Sequence, residues 1–355
     1  MQPKYMLLAK KIEDNIKKKS VGEFLPSESD LLIKYKTSRN TLRSALGVLR
    51  DNGYIESKAG IGTKIIASAP KKTNSQKRVQ VLLPNTGYQF FYEIMDGINS
   101  VLNQHQVSLL YKNCNNDFAM EQKYLQEALL EDFDGLIYMS YFYADQIHFP
   151  EELNRKKNVV MVNNKVEGFE GSLICSEDEQ GAYEAVSYMI SKGYEKIIHL
   201  GGAKCSSHQR RNKGYLRAMS DKNLELHVYP VGSDYEAAYK FVKKNYKRKK
   251  LAEFSFFCAN DFSALGCCKA LEELGVKLSS RVSVAGFGGL DDQISRYPYP
   301  LITVKQDAFL MGKRAAEVVI DQINFEEKHK RKQEIFSCEI SMPVKLIKNN
   351  LVVKK

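Results

Sequence analysis

The spacing of apolar residues changes character near residue 79. Before it, apolar residues recur at helical intervals: Tyr5, Leu8, Ala9, Ile12 and Ile16, then Leu31, Leu32 and Tyr35, then Leu42, Ala45, Leu46 and Leu49. Three short helices are predicted. The second opens after Pro26 and Ser27, with Glu28 and Asp30 where a helix N-terminus favours acidic charge, and the third opens at Ser38, a capping residue type. On the third helix Arg39, Asn40 and Arg43 fall on the face opposite the apolar one. Two strand-like runs, Gly53–Ser57 and Thr63–Ile66, then flank a glycine-bearing tip at residues 58–62. Three helices followed by a hairpin describe a winged helix-turn-helix domain of α+β class over residues 1–67.

Residues 68–78 are small, polar and basic without apolar periodicity, which predicts a linker. From Val79 onward, apolar strands alternate with amphipathic helices. Strands are predicted at Val79–Leu83, Val107–Tyr111, Gly135–Met139, Asn158–Val162, Ser172–Cys175, Lys196–Leu200, Leu226–Tyr229, Phe254–Cys258 and Val282–Phe287. Helices are predicted near 89–104, 119–131, 178–192, 208–222, 234–245, 261–274 and 306–324. Such alternation implies parallel sheets covered on both faces. Nine or ten strands exceed one small open sheet, and a break near 163–177 divides residues 79–355 into two lobes. Ligands in such folds bind at the carboxyl ends of the strands.

Charge sharpens this division. The chain of 355 residues has a formal net charge of +11; residues 1–78 hold 17 Lys and Arg against 7 Asp and Glu, whereas the remainder is nearly balanced. A polyanion is therefore the expected partner of the first fifth alone. Seven scattered cysteines without a CxxC pair read as buried thiols in a reducing compartment, and six scattered histidines give no support to a metal site. No cofactor is implied. Neither a signal peptide nor an apolar run long enough to span a bilayer is evident, so a cytoplasmic protein with no membrane association is expected.

The strings Pro26-Ser27-Glu28, Ser38-Arg39-Asn40-Thr41-Leu42-Arg43, Gly53-Tyr54-Ile55 and Gly60-Ile61-Gly62-Thr63 occur in the order and spacing of a known pattern. Residues 3–67 resemble the DNA-binding domain of gluconate-repressor-type (GntR) bacterial regulators. The resemblance implies that Arg39 reads a base edge and that Asn40, Thr41 and Arg43, on the helix begun by Ser38, contact bases or phosphates. It also implies that Glu28 and Ser29 approach the backbone and that Gly60 and Gly62 let the wing enter the minor groove.

A second set of strings spans residues 79 to about 350: Asp134-Gly135-Leu136-Ile137, Asp178-Glu179-Gln180-Gly181, Gly193 to Gly202, Arg211-Asn212-Lys213-Gly214-Tyr215, Cys258-Ala259-Asn260-Asp261, Val282 to Phe287 and Pro300 to Asp307. They resemble the sensor of the lactose- and galactose-repressor family, which shares the periplasmic-binding-protein-like fold. A winged-helix reader joined to such a sensor is similar to the bacterial arabinose repressor group.

A monosaccharide offers vicinal hydroxyls and an apolar ring face, so its pocket needs bidentate polar groups and flat walls. The resemblance places Arg211 as a fork onto two sugar oxygens, with Asn85, Asn163, Asn260 and Gln306 as further polar groups. Tyr88, Phe90, Phe91 and Tyr235 are candidate walls, each equally a candidate for the core, and Asp261 is expected to cap the following helix. Where that family carries a carboxylate after the aromatic residue, this chain has Gly288; Asp291 or Asp292 is a candidate substitute. The sequence thus implies a homodimeric repressor that binds double-stranded operator DNA and is released by a monosaccharide. A purine or other non-sugar effector, or a sugar-acting enzyme with a DNA-binding adapter, are the alternatives; the absence of paired carboxylates or a Ser/His/Asp set at a convincing spacing speaks against the enzyme.

Overall fold

The computed structural model describes residues 4–58, 62–66, 76–85, 88–140, 149–201, 205–246, 251–278, 282–289, 299, 301–329 and 337–348. The described chain forms two compact units, Met1–Gln76 and Lys77–Lys355.

The first unit holds helices α1 (Lys4–Ile16), α2 (Glu28–Tyr35) and α3 (Arg39–Asp51), then strands β1 (Ile55–Lys58) and β2 (Gly62–Ile65). Helix α2 starts at Ser27, whose hydroxyl accepts from the Asp30 N–H, and stops at Lys36, a non-glycine residue in the left-handed region (φ 46°). The turn is therefore closed within three residues, and Ser38 restarts the chain by accepting from the Thr41 N–H at 3.2 Å. Leu42, Ala45, Leu46 and Leu49 bury the inner face of α3 against Ile12 and Ile16 of α1 and Ile55 and Ile65 of the antiparallel hairpin.

The second unit contains two six-stranded sheets. The first lobe is built on β3 (Arg78–Leu83), β4 (Ser108–Asn113), β5 (Gly135–Tyr138), β6 (Asn158–Val162), β7 (Ser172–Ser176) and β13 (Glu339–Met342), in the order β13-β7-β6-β5-β3-β4, all parallel. The second is built on β8 (Ile197–Gly201), β9 (His227–Pro230), β10 (Ser255–Cys258), β11 (Val284–Ala285), β12 (Leu301–Gln306) and β14 (Val344–Lys348), in the order β14-β12-β11-β10-β8-β9, with only β14 antiparallel. Helices α4 (Gln89–Gln104), α5 (Phe118–Ala128), α6 (Glu151–Lys156), α7 (Asp178–Ser191), α8 (Ser206–Ser220), α9 (Tyr235–Asn245), α10 (Asp261–Glu273) and α11 (Ala308–His329) connect them. Strands β5, β7, β8 and β10 are buried at every position, as strands covered on both faces must be.

The sequence expectation lacked α6, β12, β13 and β14. The last two are half-exposed edge strands with few apolar residues in a row, and they complete sheets whose other strands lie far earlier in the chain. The chain crosses between lobes three times: after β7, after β12 and between β13 and β14. Helix α11 returns to the first lobe and crosses α4 closely enough that a Cβ on Gly97 would lie 2.1 Å from the Phe309 carbonyl oxygen, and one on Gly312 would lie 2.0 Å from that of Ile94.

In the second lobe His199 is fully buried, its ring packed against both Tyr215 and Phe257 at centroid distances of 5.2 and 5.1 Å. Burial holds its pKa down at about 4, and the neutral ring donates through Nδ1 to the Phe257 carbonyl at 2.9 Å. The expectation of seven buried thiols needs one correction: all seven cysteines are free, but Cys338, next to an edge strand, is exposed. Among the described residues no helix is long and apolar enough to cross a membrane.

Candidate functional site

In the first unit the candidate residues share the outer face of the second and third helices. Glu28, Ser29, Ser38, Arg39, Asn40 and Arg43 are exposed and Thr41 is half-buried. The apolar side of α3 fixes the helix while its first turn stays free for a ligand. Thr41 contributes its N–H to the cap and its hydroxyl lies 2.8 Å from that of Ser38. Arg43 lies 3.6 Å from Glu28, but both side chains are more than half exposed, so the pair contributes about 0–1 kcal/mol and yields readily to a phosphate. Gly62 opens β2 at φ 109°, in the left-handed region that glycine tolerates. Gly60 lies outside the described residues.

In the second unit a cleft of about 680 Å³ opens between the lobes. Tyr88, Phe90 and Phe91, at the start of α4, and Asn163 and Asn164, after β6, line it from the first lobe. From the second come Ser207, His208 and Arg211 on α8, Ser233 to Glu236 before and in α9, Asn260 to Phe262 at the start of α10, Phe287 and Gly288 after β11, and Gln306 at the end of β12. All follow the carboxyl ends of strands, where parallel sheets leave their ligand sites. Tyr88 and Phe262 touch across the cleft at 4.8 Å between ring centroids.

Arg211 is only 4% exposed. Its Nε donates to Asp178 Oδ1 at 2.9 Å, Nη1 to the Ala259 carbonyl at 2.8 Å and Nη2 to Gln306 Oε1 at 3.3 Å, while the guanidinium carbon sits 3.9 Å from the centre of the Phe287 ring. Among the described residues three of its five N–H groups are engaged, which leaves two for a ligand. Asp178 is wholly buried and also takes Nε and Nη2 of Arg210, at 3.1 and 2.8 Å, and the Ser176 hydroxyl at 3.1 Å. Gln306 Nε2 donates to Ser176 at 2.7 Å, so the arginine fork is tied directly to two inter-lobe crossings.

Several expectations change. Asp261 does not cap α10; Asn260 does, its Oδ1 accepting from Ser263 N–H at 2.9 Å in a capping box. The reason is position: Asn260 has extended φ and ψ, whereas Asp261 is already helical. Asn260 Nδ2 donates to the Ser233 carbonyl at 2.7 Å, so this amide shapes the wall more than it offers hydrogen bonds. Asp261 instead accepts from Thr303 Oγ1 at 2.7 Å and from Gly289 N–H at 2.7 Å. Asn85 is absent from the lining because its amide turns to Asn116 Oδ1 at 2.9 Å. Tyr235 lines the cleft; Asp291 and Asp292 lie outside the described residues. A Cβ on Gly288 would stand 3.2 Å from Asp261 Oδ2, so the carboxylate behind this position comes from α10.

Sequence reasoning had not singled out Asp178, Arg210, His208 or Phe262. Asp178 stood in one of the quoted strings, and the tandem Arg210-Arg211 was visible, but which arginine faces which partner depends on the fold.

Residues 5–65 match the gntR family of bacterial regulatory proteins, and residues 186–341 match the periplasmic binding protein-like domain. The chain is 28% identical over 303 residues to the HTH-type transcriptional regulator RegA of Clostridium saccharobutylicum, covering 82% of this chain and 86% of that one. It is 25% identical over 346 residues to the arabinose metabolism transcriptional repressor of Geobacillus stearothermophilus, covering 90% and 91%. Among solved structures, a LacI family transcriptional regulator from Enterococcus faecium with bound ribose superposes with a TM-score of 0.62 at 26% identity, covering 77% of this chain and 97% of that one. The transcription regulator CcpA of Lactococcus lactis shares the fold, with a TM-score of 0.66 at 21% identity over 77% and 97%. The chain is a DNA-binding transcription regulator that joins a gntR-family helix-turn-helix domain to a periplasmic-binding-protein-like domain.

Proposed function

We propose that this regulator is a cytoplasmic homodimeric repressor of a carbohydrate-utilisation operon, and that a monosaccharide in the inter-lobe cleft releases it from a palindromic operator. The observation that carries the reading is the Arg211 fork, held by Asp178 and stacked on Phe287 with two N–H groups left over. A flat ring with a cationic donor at its edge suits a sugar's apolar face and adjacent oxygens. The domain assignment follows the same division: residues 1–67 read DNA, 68–78 link, and 79–355 sense and pair. One winged helix contacts too few base pairs for genomic specificity, so two copies on symmetric half-sites are required. The ligand acts by preferring the DNA-incompetent state.

A purine effector is the second reading, favoured by the number of aromatic side chains on the cleft wall. The test is a titration of the purified protein with pentoses, hexoses and purines, reading thermal shift and operator release. A monosaccharide that raises Tm and releases DNA supports the proposal, a purine with that effect replaces it, and no response to either class refutes both. Arg211→Met is expected to keep operator affinity and lose the response.

A further inference from the structure

Arg210, next to the ligand fork but less buried than it, makes contacts in both lobes. We propose that Arg210 is a positioning residue that couples occupancy of the cleft to the angle between the lobes, by holding Asn163 of the first lobe against Asp178 of the second. The coupling rests on reading the cleft as the ligand site.

Asn163 adopts φ 70°, a left-handed conformation uncommon outside glycine. Its N–H donates to the Ile174 carbonyl at 2.8 Å within the first lobe, and its own carbonyl accepts from Arg210 Nη2 at 3.0 Å. Asn163 lines the cleft, and its side-chain Oδ1 is buried with no hydrogen-bond partner among the described residues. The next two residues continue the strap onto the first turn of α8. Asn164 Oδ1 accepts from Ser207 N–H at 3.0 Å, and Lys165 N–H donates to Ser206 Oγ at 2.9 Å.

The other end of Arg210 grips Asp178 Oδ2 through Nε and Nη2, while Oδ1 of the same carboxylate holds Arg211 Nε. One buried anion therefore serves two cations, of which one faces the ligand and the other holds the first lobe. A ligand that draws the Arg211 guanidinium toward itself leaves more of the Asp178 charge to Arg210 and tightens the strap; without a ligand the charge is divided. A planar guanidinium is needed because carboxylate and carbonyl are bound at fixed angles to each other, a geometry that an ammonium does not reproduce.

The experiment uses full-length Arg210→Met and Arg210→Lys proteins. In amide hydrogen exchange without ligand, Arg210→Met should exchange the Lys165 and Ser207 amides at least ten-fold faster than the parent. The Ile198 and Phe256 amides of the second-lobe sheet should be unchanged, and Arg210→Lys should fall between. With L-arabinose and D-ribose as probes, the concentration for half-release of operator should rise ten-fold or more in Arg210→Met, with operator affinity in the absence of sugar within two-fold of the parent. Parent-like exchange at Lys165 and Ser207 would overturn the proposal. So would uniform acceleration through the second-lobe sheet, which marks general loosening. If Arg210→Met does not fold, the Arg210→Lys comparison decides by the same amides. A parent that responds to neither sugar counts against the proposed effector class, and the exchange data still decide the role of Arg210.

Discussion

The two units place their candidate functional side chains in opposite ways. On the winged helix, Arg39, Asn40 and Arg43 are exposed, and the core beneath them is built almost wholly of apolar side chains. In the sensor, Arg211, Asp178 and Gln306 are buried and joined by hydrogen bonds from the Arg211 guanidinium. A surface reader can lose a side chain and keep its fold, whereas in the cleft the candidate ligand groups also support the structure. Function and stability should therefore separate in the first unit and remain joined in the second.

The largest effect is expected from Asp178→Asn. It strips the counter-charge from a buried Arg211 and weakens the hold on Arg210; breaking a buried pair on one side costs about 3–5 kcal/mol. Urea unfolding followed by near-ultraviolet circular dichroism of the sensor reads the loss, and a loss below about 1 kcal/mol would mean that the cluster is not electrostatically coupled.

Next comes pH. The folded value for His199, about 4, lies below its ordinary 6.5, so the unfolded chain binds more protons between them. The stability present above pH 6.5 is lost as pH falls toward 4, by about 3 kcal/mol in all. The parent should lose this amount relative to His199→Gln over that window, and parallel pH profiles of the two proteins would refute the assignment.

On the reader, Arg39→Ala should weaken operator binding by roughly 1–3 kcal/mol with Tm unchanged and binding to random DNA little altered. Equal losses on both DNAs would make Arg39 a phosphate clamp. The smallest effect is expected from Ser38→Ala, which removes the α3 cap at a cost of about 1 kcal/mol, visible as a modest fall in the reader's unfolding midpoint.

The same contrast explains what was legible in the sequence. The reader's motif is local: Ser27, Ser38 and the apolar positions of α3 act within a few residues, so its elements and exposed face followed from spacing. The cleft depends on contacts far apart in the chain, such as Arg211 with Gln306 and Asp261 with Thr303. The family resemblance, and not spacing, offered Arg211 and Gln306 as candidates, and the aromatic walls were equally candidates for the core. The resemblance gave neither the Asp178 that orients the fork nor the exchange of roles between Asn260 and Asp261, because both depend on partners supplied by another strand. Asn85 is a further case: its place after a strand suggested the cleft, but its amide donates to Asn116, 31 residues later, and it does not line the cleft.

The placement of β13 and β14 has a consequence for biosynthesis. Strand β13 pairs with β7, more than 160 residues earlier, and α11 packs on the first lobe although it is made after nearly all of the second. A ribosome adding about 5–20 residues per second therefore exposes a complete winged helix tens of seconds before either sensor sheet can close. A message truncated ahead of residue 339 would release a DNA reader attached to a sensor with two unfinished sheet edges. Such a product is expected to bind operator DNA weakly as a monomer, to ignore the ligand, and to be the preferred substrate of cellular proteases.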